Sequence, residues 1–292
     1  MKLLRILAAA SICLAFCLLA ACGTNTSLQS TTSATSGSGQ ATVTAEITEQ
    51  VTSALPTTTQ AATTASPQYG EGDKLIAFTF DDGPRVKTTG RILDALEKTG
   101  SKATFFVLGE NVSDKGTVLR RAISLGCEIG NHTMNHKNLT KLSDEKIAEQ
   151  ISLAGDAVEA ATGLRPTLLR APGGNFKGVE SKVGFPLIQW SIDTNDWRYS
   201  DNSKPGRSTE QRNADIKKVS ASVLDYVKPG DIILMHDIYD FSADVFESVL
   251  PELISRGYKL VTVTELYEHY GKELEPGRVY RGINLEKQTT AS

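Results

Sequence analysis

The sequence predicts an α/β fold, a (β/α) barrel of about seven parallel strands, and three observations predict it. Short apolar runs rich in β-branched and aromatic residues alternate with amphipathic stretches, the pattern of parallel strands joined by crossover helices. About seven such runs fall within about 200 residues, which suits either a closed barrel or an open doubly wound sheet. The residues able to do chemistry then choose between the two. Asp81, Asp82, His132, Arg170, Asp193 and His236 stand at or just beyond the C-terminal ends of five strands. Side chains from five strands converge on one mouth in a barrel, whereas an open sheet gathers them near a single switch point.

Three regions precede or make up this fold. Residues 1–21 read as a secretory signal: Lys2 and Arg5 give it a positive start, and the apolar stretch 6–19 is short for a membrane span. It ends in Leu19-Ala20-Ala21-Cys22, which resembles the lipobox of bacterial lipoproteins, so Cys22 is the expected lipidation site and mature N-terminus. Several acyl chains on one residue anchor stably where one chain is marginal. Residues 22–69 form a linker of Thr, Ser, Ala and Gln, with no aromatic before Tyr69 and only Glu46 and Glu49 charged. Such a composition cannot bury enough apolar surface to offset its ordering entropy, and it serves as a tether. Residues 70–292 are long enough for one large domain with a full core.

Within that domain, 75–80 is a strand by its β-branched and aromatic content. Thr88 or Thr89 is placed to cap a helix over 90–98, closed by Gly100. A strand over 103–108, a helix over 117–125 stopped by Gly126, and a short strand over 128–131 come next. Ser143 begins a helix that runs to about 161, with Gly163 beyond it. Further strands are expected over 167–170, 187–192, 231–235 and 259–263, and helices over 210–227, 241–255 and 264–270.

Charge and cysteine content exclude several function classes. Loss of Lys2 and Arg5 with the signal takes the formal charge from -3 to -5, and no long basic run suggests nucleic acid as a partner. Of four cysteines, Cys13 and Cys17 lie in the signal and Cys22 is the anchor. Cys127 is left alone, so the mature domain holds no internal disulfide.

The chemistry concentrates in Thr79-Phe80-Asp81-Asp82-Gly83-Pro84 and in His132-x-x-x-His136. Together they offer one carboxylate and two imidazoles to a divalent metal, with a second carboxylate beside them. That set matches an open catalytic site better than a closed structural one. From the residues alone, either Asp81 or Asp82 serves as the ligand. Adjacent strand residues point to opposite faces, so the strand must end here for both to reach one site, and Gly83-Pro84 supplies the break. Histidines four apart also occur on one face of a surface helix. Here, three of the domain's four histidines (132, 136, 236 and 269) sit in motifs.

Five motifs in order resemble those of the polysaccharide deacetylases, carbohydrate esterase family 4, the NodB homology domain. They are the Thr79–Pro84 run, His132-Thr133-Met134-Asn135-His136, Arg170-Ala171-Pro172-Gly173-Gly174, Asp193-Thr194-Asn195-Asp196-Trp197 and Leu234-Met235-His236, within a resemblance covering about 75–266. The resemblance implies a distorted (β/α) barrel of about seven parallel strands. It implies Asp82, His132 and His136 as ligands to one divalent metal ion, zinc first, cobalt or nickel as alternatives. It makes Asp81 the general base, oriented by Arg170, and His236 the general acid, paired with Asp193. The Gly173 N–H is the oxyanion donor, and Trp197 and Leu234 wall the acetyl pocket. Gly173 stands where the family often has an aromatic, which keeps the N–H and widens the cleft. His269 and Cys127 match nothing in the pattern.

The expected function is therefore metal-dependent removal of N-acetyl groups from a cell-wall polysaccharide, peptidoglycan or a chitin-like glycan. The expected protein is a monomer, held on the cell surface by a membrane anchor at Cys22. O-deacetylation of xylan or a similar glycan is the alternative. A non-catalytic glycan-binding module ranks below both, because Asp81, Asp82, His132, His136 and His236 are all present.

Overall fold

In the computed structural model, residues 69–200 and 203–285 are described, all within the unit Ala61–Ser292. The expected signal, Cys22 and the linker as far as residue 68 lie outside the described residues. Eight strands are formed among the described residues: β1 (Lys74–Asp81), β2 (Thr104–Val107), β3 (Glu128–Asn131), β4 (Leu187–Ile188), β5 (Ile192–Asp193), β6 (Ile232–His236), β7 (Tyr258–Leu260) and β8 (Val279–Tyr280). Six helices join them: α1 (Val86–Thr99), α2 (Gly116–Ser124), α3 (Asp144–Thr162), α4 (Thr209–Tyr226), α5 (Asp240–Ser255) and α6 (Val263–His269).

β1 carries a continuous apolar run because both of its faces are buried. Leu75 and Ala77 pack with Phe106, Leu168, Ile188 and Ile232 inside the barrel, and Thr79 and Asp81 continue that inner row. Ile76, Phe78 and Phe80 face outward onto Ile92, Leu93 and Leu96 of α1 and Phe246 of α5. A third cluster joins Leu169, Ala171 and Leu187 to Ile147 and Ile151 of α3.

The strands pair in parallel in the order β3-β2-β1-β6-β5, with β7 beside the first half of β1. The fold is the α/β barrel that the sequence predicts, and its distortion has a local cause. The expected strand 187–192 splits in two. β4 bridges Leu169 on one side and pairs with β8 on the other, while β5 peels away to pair with β6. The wedge between them is filled by the chain around β8, whose Gly282 bridges Asp231 in antiparallel sense. The sequence reading missed β8. The expected strand 167–170 shrinks to a single bridging residue, Leu169, between Asn131 and Leu187.

Helix ends differ from expectation where side chains find tertiary partners. α1 starts at Val86 and not at 90, and its first turn takes no side-chain cap. The Thr88 and Thr89 hydroxyls bond to Asp237 instead. Ser208 and Thr262 do form capping boxes, with Gln211 and Glu265.

Phe80 is fully buried, with the Phe105 and Phe246 rings each 5.2 Å away. The substitution Phe80→Ala is expected to cost about 3–5 kcal/mol of stability, measured by urea unfolding, because the cavity lies where strand and helices are already close-packed.

Candidate active site

The site forms at the C-terminal ends of β1, β3 and β6. Asp81 closes the inner row of β1, opposite Phe106 on one side and His236 on the other. Asp82 reaches the same mouth by turning the backbone into the left-handed region, φ 73°. The strand therefore breaks at Asp82 itself, one residue before the expected Gly83-Pro84. Asn111 Nδ2 donates to the Asp82 carbonyl at 2.9 Å and Leu108 N–H to the Gly83 carbonyl at 3.0 Å, which holds the turn.

His132 and His136 lie on a loop beyond β3, not on a helix. Thr133 and His136 take φ of 74° and 58°, and these two reversals fold the loop until both rings face Asp82. Asn131 fastens the bend: its Oδ1 accepts from Thr133 N–H at 2.7 Å and its Nδ2 donates to Ile151 O at 2.9 Å. His132 Nδ1 donates to the Arg170 carbonyl at 2.8 Å. A carbonyl can only accept, so in the neutral imidazole the lone pair sits on Nε2, the atom that faces the carboxylates.

Asp82 Oδ1 lies 3.4 Å from Nε2 of His132 and 3.4 Å from Nε2 of His136. This oxygen is buried and takes no hydrogen bond among the described residues. Three electron-rich atoms within 4.8 Å of one another, one of them orphaned, fit a divalent cation. Burial works against the charged forms of both Asp82 and His132. The attraction of His132 still holds Asp82 below its ordinary value, and Asp81 first, then Asp82, hold His132 above its own. Burial lowers His136, against the pull of Asp82. A divalent cation held by these three residues would supply positive charge here.

Arg170 is fully buried inside the barrel. Its Nη1 donates to Asp81 Oδ1 at 2.7 Å and to Thr79 Oγ1 at 2.8 Å, while Nε and Nη2 donate to the carbonyls of Ile188 and Gln189. The guanidinium lies 4.2 Å from the Phe106 ring centroid. Gly130 makes room for that ring, since a Cβ there would sit 2.4 Å from it. Asp81 thus has one oxygen committed to Arg170 and Oδ2 turned toward His132, 3.6 Å away.

The expected Asp193–His236 pair is not formed. Asp193 is exposed, and its Oδ1 accepts from the Asn195 N–H at 2.8 Å. Asn195 then turns the chain at φ 53° and brings Asp196, fully buried, beneath His236. Asp196 Oδ1 meets His236 Nδ1 at 2.8 Å, and Oδ2 accepts from the His236 N–H at 2.8 Å and from Ser242 Oγ at 2.5 Å. Asp193 ends β5 as a turn residue, and the acid beyond the turn folds back. Burial opposes the charged form of His236, but Asp196 overrides it, aided by Asp81 and Asp82, and pushes the imidazole up to about 9.

The remaining predicted residues fall as follows. Gly173 follows Arg170 in a tight turn at φ 62°, whose two hydrogen bonds use the N–H groups of Gly174 and Asn175 and not that of Gly173. Leu234 sits on the inner face of β6, in register with Thr79. Trp197 is 42% exposed, with the Arg198 guanidinium 4.9 Å from its ring. His269 packs edge-on to Tyr69 and Tyr270, and Cys127 is a buried thiol that burial pushes up to about 11. The sequence reading missed Thr79, Asn131, Asp196 and Ser242. Thr79 and Asp196 carried a signal, since each lies in a quoted motif, Asp196 after a Thr-Asn turn. A groove of about 610 Å³ lined by Pro166, Phe185, Pro186, Tyr267 and Leu274 opens beside the strand starts, away from this chemistry.

The chain has relatives among known proteins. The family described as polysaccharide deacetylase matches residues 68–182. The peptidoglycan-N-acetylglucosamine deacetylase PgdA of Listeria monocytogenes is 41% identical over 211 residues, 71% of this chain and 41% of that protein. The peptidoglycan-N-acetylmuramic acid deacetylase PdaC of Bacillus subtilis is 39% identical over 196 residues, 67% of this chain and 39% of that protein. The solved PdaC structure matches with a TM-score of 0.62 and 37% identity, covering 68% of this chain and 93% of that one. A family 4 acetyl xylan esterase from Clostridium thermocellum, solved with a cobalt ion, has a TM-score of 0.64 at 30% identity, covering 73% of this chain and 100% of that one. The chain belongs to the polysaccharide deacetylase family, carbohydrate esterase family 4. It spans about two fifths of the length of the Listeria and Bacillus proteins.

The His236–Asp196 pair makes a direct prediction. In the metal-free protein, Asp196→Asn should move the His236 titration to lower pH, because burial is then opposed only by the more distant carboxylates. Asp193→Asn should leave it in place. Histidine NMR titration reads both, and equal shifts in the two variants would contradict the pairing.

Proposed function

We propose that the domain is a metal-dependent deacetylase that hydrolyses N-acetyl groups of a cell-wall polysaccharide, peptidoglycan in the first place. The observation that carries this reading is the pair of opposed proton carriers around the Asp82, His132 and His136 cluster: Asp81 held by Arg170, and His236 held by Asp196. When bound, a divalent cation, zinc by its donor set and cobalt or nickel by the same logic, supplies Lewis acidity to the acetyl carbonyl and acidifies water.

The chain's own residues do the rest. Asp81 Oδ2 takes a proton from the attacking water, while Arg170 holds Oδ1 in place. The Gly173 N–H, unspent in its own turn, donates to the carbonyl oxygen as it gains charge. His236 is charged at neutral pH and protonates the departing nitrogen as the C–N bond breaks. Water's oxygen ends in acetate, and the sugar keeps an amine. Trp197 and Leu234 wall the methyl group. The likeness to the acetyl xylan esterase favours a second reading, O-deacetylation of a plant glycan, in which the leaving group is an alkoxide.

Cys22 carries a lipid anchor in this proposal, residues 22–69 are the tether, and the monomeric domain 70–292 works on the outer face of the membrane. Cys22→Ser should release the protein from the membrane fraction and leave the domain's activity unchanged. A variant that fractionates as the wild type does would refute the anchor.

Acetate release from peptidoglycan, chitooligosaccharide and acetylxylan separates the two substrate readings. Asp81→Asn and His236→Ala should each lower kcat by about 10²–10⁴-fold without loss of metal binding. The pH–rate profile should fall as His236 loses its proton, with that falling limb at lower pH in Asp196→Asn. Full activity in His236→Ala would remove it as the acid.

A further inference from the structure

Asp237 is a buried carboxyl that the proposed chemistry leaves unused. It follows His236 and points the opposite way, out of the barrel toward the start of α1. Its backbone N–H reaches the Asp81 carbonyl at 3.3 Å. Its carbonyl accepts from Thr88 Oγ1, and its Oδ2 accepts from Thr89 Oγ1 at 2.5 Å. Thr89 Oγ1 in turn accepts from the Arg85 N–H at 2.9 Å. These bonds staple the segment from Asp82 to Thr89 onto the end of β6.

The carboxyl also presses on that segment directly. A Cβ at Gly83 would lie 2.2 Å from Asp237 Oδ2, 2.3 Å from Oδ1 and 2.5 Å from Cγ. Gly83 is not among the residues with positive φ, so glycine is required here by space and not by backbone conformation. Asp82, its neighbour, is the residue held at φ 73°. A methyl group on residue 83 or a slack turn would therefore swing the Asp82 carboxylate away from the two imidazoles.

We infer that Asp237 is a positioning residue for the Asp82 carboxylate: wedged against Gly83 and tied to Thr88 and Thr89, it fixes the β1–α1 turn so that Asp82 faces His132 and His136. The inference rests on reading those three residues as metal ligands. It does not require Asp237 to touch metal or substrate.

The test measures Co²⁺ affinity of the full chain by chelator competition, with melting of the metal-free form alongside. Asp237→Ala should weaken Co²⁺ binding by about 10–100-fold, and Asp237→Asn, which keeps the shape and an oxygen for Thr89, by less than about threefold. Gly83→Ala should weaken binding as Asp237→Ala does. The double variant Gly83→Ala/Asp237→Ala should be no worse than either single one, because the wedge is gone and the methyl has room. Unchanged affinity in Asp237→Ala despite a lowered melting temperature would overturn the inference, as would strictly additive losses in the double variant. If Asp237→Ala does not fold, Thr89→Val removes one staple at equal volume, and wild-type affinity in that variant overturns the inference equally. A wild-type chain that binds no Co²⁺ sinks the metal reading and this inference with it. That outcome differs from tight binding insensitive to Asp237, which sinks the inference alone.

Discussion

The site hangs on one buried ion pair. Arg170 has no exposed surface, and a guanidinium in that position is tolerable only if its donors are spent and its charge is balanced. Asp81 balances it at 2.7 Å, Thr79 and two main-chain carbonyls take three further donors, and the Phe106 ring covers its face. Removing one partner of such a pair costs about 3–5 kcal/mol in general. Burial still presses Arg170 toward losing its proton, with Asp81 opposing it. The same residue's carbonyl sets the tautomer of His132. One side chain therefore ties the inner row of β1 to β4, and its backbone ties the metal-ligand loop to the same point.

A second pair repeats the logic across the mouth with the charges reversed. There, the buried group is the carboxylate, Asp196, and the exposed side belongs to the cation, His236. Each of the two groups assigned proton transfer in the proposed mechanism is thus held by a partner deeper in the protein. Backbone conformation supports the arrangement. Among the described residues, the non-glycine residues with positive φ are Asp82, Thr133, His136 and Asn195, and each lies in a loop that aims a site residue. Left-handed backbone at such residues is uncommon and is retained where the surroundings over-determine it. Here, those surroundings are the Asn131 bonds, the Asn111 bond to Asp82 and the packing of Asp237 on Gly83.

The amino-acid sequence by itself determined the strand-and-helix alternation, the barrel class, the family and most of the residues that gather at the candidate site. Those features are local or periodic: apolar runs buried on both faces, glycine at helix ends, and chemical residues placed just beyond strand ends. Asp81, Asp82, His132, His136, Arg170 and His236 were legible because each is fixed to a strand terminus by only a few residues of chain. Tertiary structure decided what depends on where a turn sends the chain next. Asp193 and Asp196 are both acids of one motif, and only the left-handed turn at Asn195 puts the second beneath His236. The split of 187–192 into two strands, and the closing of the gap by β8, follow from pairings with residues about 40 to 90 positions away, which no local pattern encodes. The start of α1 was misplaced for the same reason: the hydroxyls of Thr88 and Thr89 are capping groups in sequence, but in space they belong to Asp237.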